Sequence, residues 1–211
     1  MSVRSTRNQM LAEQMMGSLA ARNMEAYYAK NKEEALDKAL SLLPEGSTVS
    51  WGGTASAAEI GLLETLKNGN YTVYDRADAD SDEGVRGVIL QAFDCDFYIG
   101  SVNAMSVDGV LVNIDGHSNR VAAYAWGPRN LLLIVGMNKV AKTVEDAISR
   151  ARNEASPINA QRFGINPPCV KAGSCSDCKA EDCICCNILL TRFSQKKNRI
   201  KIILVDESLG F

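Results

Sequence analysis

Apolar residues recur at helical spacing in two stretches near the start of the chain. Asn8 to Arg22 brings Met10, Leu11, Met15, Leu19 and Ala20 close to one face. Asn31 to Leu43 does the same with Ala35, Leu36, Ala39, Leu40 and Leu43. Both predict helices, and Pro44-Glu45-Gly46 ends the second with a turn. The rhythm then changes. Strand-like runs (STVSW, YTVYD, DFYIGS) alternate with helical ones (AAEIGLLETLKNG, EGVRGVILQAF), and VLVNI, LLLIVG and the helical VEDAISRARNEA follow. Such alternation predicts βαβ units and a mostly parallel, Rossmann-like sheet flanked by helices. The unbroken apolar run LLLIV fits a strand buried on both faces.

From Ser156 the pattern weakens. SPINAQRFGINPPC reads as loop, and Pro167-Pro168 blocks any helix ahead of a cysteine-rich stretch. Two strand-like runs come last, NILLTRF and RIKIILVD, joined by Lys196 to Asn198, which predicts an antiparallel hairpin. The expected organisation is one α/β domain over 1–211. It comprises N-terminal helices (1–43), an α/β core (44–164), a cysteine-rich loop (165–187) and a closing strand pair (188–211).

Composition narrows the function. With 211 residues, 46% of them hydrophobic, the chain can bury a core without covalent staples. A net charge of -2 gives no electrostatic case for nucleic acid. The longest apolar runs fall far short of the roughly 20 residues of a membrane helix, and the N-terminus lacks the apolar stretch of a secretory signal. The expectation is a cytoplasmic protein without a membrane partner. The methionine-bearing N-terminal helices offer a surface for a homo-oligomer.

Three motifs carry candidate chemistry. The first, WGGTASAAEIG, follows a strand and opens a helix. Gly52 and Gly53 let backbone N–H groups approach a ligand, Thr54 adds a hydroxyl, and a helix start suits an anion. Ser56-x-x-Glu59 in the same stretch also reads as a capping box. The second, SVNAMSVDGVLVNIDGHSNRVA, gathers Asn103, Asn113, Asp115, Asn119 and Arg120, which can orient a polar ligand, with Arg120 gripping a carboxylate or phosphate. Asp108-Gly109 and Asp115-Gly116 both read as tight hairpin turns. The chain's one histidine, His117, lies here as an acid–base candidate. The third, GMNKVA, sets Lys139 after a strand, where it can counter an anion. Ligand sites of open α/β sheets sit beyond strand C-termini, where all three motifs fall.

Six of the seven cysteines lie in CVKAGSCSDCKAEDCICC. Disulfides, tetrahedral zinc and a [4Fe–4S] cluster are the competing readings. Cys95, near a strand start, reads as an ordinary buried thiol.

Taken in order, GGTASAAEIG, SVNAMSVDGVLVNIDGHSNRVA, WGPRNLLLIVGMNK and PPCVKAGSCSDCKAEDCICCN resemble the LUD (lactate-utilisation) domain family. That family looks like a branch of the phosphosugar isomerase and coenzyme A transferase-like fold. The resemblance covers the chain from about Pro44 onward. It implies a small anionic metabolite as ligand, a link to lactate utilisation or related redox metabolism, and iron–sulfur proteins as redox partners. It also implies Cys169, Cys175, Cys178 and Cys186 as four metal ligands, for [4Fe–4S] with zinc as the alternative, and leaves Cys183 and Cys185 as spares. Isomerases of the wider fold carry an acid where Asn103 stands, and an amide is no general acid or base at neutral pH. Coenzyme A transferases use a glutamate, for which Glu59 is the nearest candidate. Catalysis by Glu59 or His117, as isomerase or acyl transferase, is the alternative function, and a non-catalytic regulator is the third. The loop is expected to stand apart from the ligand site.

Overall fold

The computed structural model describes residues 2–211. Its spine is a six-stranded, all-parallel sheet. The strands are β1 (Glu25–Ala29), β2 (Thr48–Trp51), β3 (Thr72–Tyr74), β4 (Phe97–Gly100), β7 (Asn130–Gly136) and β10 (Ile200–Val205), in the order β1-β10-β7-β4-β2-β3. α1 (Val3–Ala20) precedes the first strand, and between the strands lie α2 (Lys32–Ser41), α3 (Ala55–Glu59), α4 (Leu62–Asn68), α5 (Asp82–Ala92) and α6 (Asn119–Ala125). The sheet is apolar on both sides. Leu131, Leu133, Ile202 and Leu204 face one core with Met15 and Leu19 of α1, while Leu132, Ile134, Ile203 and Val205 face the other with Ala35 and Ala39 of α2. This is the burial that continuous apolar strands require.

A second, four-stranded mixed sheet has the order β8-β5-β6-β9 and comprises β5 (Ala104–Ser106), β6 (Leu111–Asp115), β8 (Val140–Ala141) and β9 (Asn187–Thr191). The chain is completed by α7 (Val144–Arg150), α8 (Ser156–Arg162) and α9 (Pro168–Ala172).

The fold class is as expected, and four local expectations change. The N-terminal segment is part of the core, since EAYYA between its two helices forms β1, an edge strand paired with β10. The last two strands do not form a hairpin: β9 pairs antiparallel with β6, and β10 lies parallel between β1 and β7. Asp108-Gly109 does turn β5 into β6, with Gly109 at φ 91°, but Asp115-Gly116 leads β6 into α6. Finally, α7 does not end in loop. A π-helical turn over Ala151–Ala155 carries it into α8.

Candidate functional site

The C-terminal ends of β2, β4 and β7 open into one cavity of about 750 Å³, a size typical of small-molecule sites. From β2 come Gly52, Gly53 and Thr54, from β4 Ser101 to Asn103, and from β7 Lys139. Asp115, Gly116, His117, Asn119 and Arg120 form another wall.

Gly52 is required by close packing, because neither Gly52 nor Gly53 has a positive φ. A Cβ at Gly52 would stand 2.9 Å from the Tyr98 hydroxyl and 3.3 Å from Arg120 Cδ. The expected capping box does not form. The N-cap of α3 is Thr54 and makes no side-chain capping bond. Ser56 Oγ instead donates to the Leu209 carbonyl oxygen and accepts from Lys139 Nζ, while both carboxylate oxygens of Glu59 accept from Gly210 N–H. The C-terminal tail outcompetes the helix start for these two residues. Glu59 is thereby engaged outside the cavity wall.

Arg120 is the best-held charge in the cavity. Its guanidinium donates to Asn113 Oδ1 at 3.0 Å, Asn103 Oδ1 at 3.1 Å and the Ile114 carbonyl oxygen at 2.6 Å, and it lies over the Tyr124 ring. Asp115 Oδ1 lies 4.0 Å from Arg120 Nε, while its Oδ2 accepts from the backbone N–H groups of Arg120 and Val121 at the start of α6. Asn113 is fully buried behind Arg120 and positions it, without lining the cavity. Asn103 and Asn119 do line it, and His117 stands exposed at its edge.

Lys139 is 4% exposed, and its Nζ donates to Ser56 Oγ at 2.9 Å and Ser101 Oγ at 3.0 Å. Among the described residues it forms no ion pair. Burial, reinforced by Arg150 and Arg120, pulls its ammonium down to about 7. The Thr54 hydroxyl is buried in the same cavity and has no hydrogen-bond partner among the described residues.

Arg76, Asn159 and Arg162 also line the cavity and were missed in the sequence. Arg162 and Asn159 belong to α8, in the stretch expected to be loop, and a Cβ on Gly53 would lie 3.5 Å from the Arg162 guanidinium.

The cysteine loop is not separate from this site. Glu181, Asp182, Cys183, Ile184 and Cys186 form part of the cavity wall. Behind it lies a smaller cavity of about 130 Å³, lined by Cys169, Cys175, Cys178, Cys183 and Cys185, so Cys183 and Ile184 border both. Of the four ligands implied by resemblance, three meet there and Cys186 lies outside. All seven cysteines are free thiols. Arg152 donates to Cys175 Sγ at 3.4 Å and pairs with Asp177 at 2.5 Å. Among the described residues no three histidine, cysteine or acidic side chains come together closely enough for a single metal ion.

The LUD domain family profile matches residues 12–205. Among solved structures, the chain is similar to a DUF162 family protein from Deinococcus radiodurans. The identity is 11%, the TM-score 0.54, and the match covers 94% of this chain and 98% of that one. Ribose 5-phosphate isomerase A from Neisseria gonorrhoeae is 16% identical at a TM-score of 0.37, over 54% of each chain. The ribose 5-phosphate isomerase from Plasmodium falciparum is 15% identical at a TM-score of 0.33, over 53% of this chain and 52% of that one. At this identity the Deinococcus structure shows a shared fold alone. No curated protein matches the chain.

Proposed function

The chain belongs to the LUD domain family, and from that premise we propose that it binds a small anionic metabolite of lactate-related redox metabolism in the large cavity. One observation carries the reading: the buried Lys139 and the partly buried Arg120 line one cavity, and among the described residues no carboxylate pairs with Lys139. Buried charge is costly unless compensated, so an incoming anion gains there what water would otherwise supply. Thr54, Asn103 and Asn119 add hydrogen-bonding groups, and the unpartnered Thr54 hydroxyl is the group most in need of a ligand.

The cysteine loop is the second element of the proposal. Five free thiols around one small cavity, with Arg152 on Cys175, suit a thiolate-rich redox centre better than a structural disulfide. A [4Fe–4S] cluster holds its four thiolates farther apart than a single ion does, and Cys169, Cys175, Cys178, Cys183 and Cys185, which line the small cavity, are the residues that would hold it. Iron–sulfur proteins are then the natural exchange partners.

The test of binding is a thermal-shift series with L-lactate, pyruvate, phosphosugars and coenzyme A. A ligand that favours the native state raises its apparent stability, and a flat response to all of them sinks the proposal.

A further inference from the structure

We propose that Lys139 is a nucleophile, whose amine condenses with the carbonyl carbon of a small anionic aldehyde or ketone to form an imine. The inference rests on the anion-binding reading and deepens it by naming the ligand class: a carboxylate or phosphate group close to a carbonyl.

The geometry is specific. Lys139 sits on the 3₁₀ turn Met137–Lys139, at the C-terminal end of the central strand β7. Its Nζ is held by two neutral hydroxyls, Ser56 and Ser101. A lysine with a structural role at this depth ordinarily meets a carboxylate. The charged groups bearing on it come from three elements: Glu59 of α3, Arg120 of α6 and Arg150 of α7. The one carboxylate among them accepts from Gly210 N–H and favours the ammonium, but burial and the two guanidiniums outweigh it. Near neutral pH a large share of Lys139 is therefore free amine, the form that attacks a carbonyl. Arg120 lines the same cavity and supplies the positive charge for the ligand's anionic group.

The chemistry balances without an oxidant or a further co-reactant. The nitrogen lone pair forms the C–N bond as the C=O π pair moves to oxygen. That oxygen takes up one proton and nitrogen gives one up, leaving a carbinolamine. Loss of the hydroxyl with a proton, as water, gives C=N. Ser101 Oγ, 3.0 Å from Nζ, is placed to relay the proton.

The experiment is reductive trapping at pH 7. The full-length protein is incubated with pyruvate, or separately with dihydroxyacetone phosphate, and reduced with sodium borohydride. Intact mass and peptide mapping follow, and thermal stabilisation by each compound is measured in parallel. The expected product is a single addition, weighing the carbonyl compound less one oxygen atom, on the Lys139 peptide. Labelling there should exceed that of a surface lysine by up to about 1,000-fold, because an ordinary lysine is almost entirely protonated at pH 7. Labelling should disappear in Lys139→Arg, whose fold is checked by circular dichroism. Mapping of the wild-type protein stands independently of that variant. Which compound labels distinguishes a carboxylate ligand from a phosphate one. Stabilisation without label, or label spread evenly over the lysines, overturns the imine and leaves anion binding standing. Neither stabilisation nor label with either compound overturns both.

Discussion

The phenol hydroxyl of Tyr124 accepts from the backbone N–H of Ser101 at 3.1 Å and donates to the carbonyl oxygen of the same residue at 2.7 Å. This clamp fixes the end of β4, and with it the Ser101 hydroxyl that receives Lys139. The Tyr124 ring also lies beneath the Arg120 guanidinium, 5.4 Å from its centroid. One buried tyrosine thus sets the placement of both basic groups in the cavity.

Gly100 makes the clamp possible. A Cβ there would stand 1.9 Å from the Tyr124 hydroxyl, so Gly100→Ala must expel the ring from its seat. A destabilisation of about 3 kcal/mol is expected from such overpacking. Tyr124→Phe alone loses both hydrogen bonds and should cost about 2 kcal/mol. Because Phe removes the clashing oxygen, the double variant should be more stable than the two costs added together predict. Urea unfolding of the four proteins checks this, and strict additivity refutes the clamp.

Thr54→Val tests the unpartnered hydroxyl. The substitution nearly conserves shape and removes a buried polar group that has no hydrogen bond in the ligand-free protein. Stability without ligand should rise by about 1 kcal/mol, while the stabilisation gained from the binding metabolite should fall. A loss of stability in the free protein would mean that the hydroxyl is already satisfied, and Thr54 would drop out of the site.

Much of this was legible in the chain. LLLIV and DFYIG announce central strands because burial on both faces removes any polar alternation. Gly52, Thr54, Asn103, Asp115, Asn119, Arg120 and Lys139 could be placed because strand ends in such sheets point to the site. EAYYA was lost between two helices because an edge strand is only half-buried and carries polar tips, here with Lys38 over the Tyr27 ring. Asn113 was read as a ligand group when it is a support for Arg120, since a strand position does not reveal what lies in front of it. Arg162 had no local signal at all, because the π-helical turn that carries the chain into α8 is set by tertiary packing. Likewise no spacing of cysteines tells which wall they build.

The cysteine loop predicts an order of thiol reactivity. Cys95 is fully buried and its thiol is pushed up to about 12 by burial, and Cys185 to about 11 for the same reason. Cys186 is exposed. Alkylation of the metal-free protein at pH 8 should therefore label Cys186 early and Cys185 late, and leave Cys95 unmodified until unfolding. After anaerobic reconstitution with iron and sulfide, Cys169, Cys175 and Cys178 should become protected while Cys186 continues to react. Protection of Cys186 with Cys183 and Cys185 left free would return the fourth ligand position to Cys186.

Lys139 should also leave a mark on the pH dependence of stability. Its folded-state value of about 7 lies below the ordinary 10.5, so between these limits the unfolded chain binds more protons than the folded one. Stability must then rise with pH across that window, because the cost of burying the ammonium applies in full below about 7 and disappears as the amine is neutral in both states. The full effect is on the order of 5 kcal/mol if the shift is realised entirely. Cysteines and tyrosines titrate in the same range, so the measurement is a comparison with Lys139→Met, which fills a similar volume without a charge. The variant should be the more stable protein at pH 6, and its advantage should shrink steadily toward pH 10. A difference between the two proteins that does not change with pH would show that Lys139 keeps its proton on folding. The amine would then be unavailable for carbonyl chemistry.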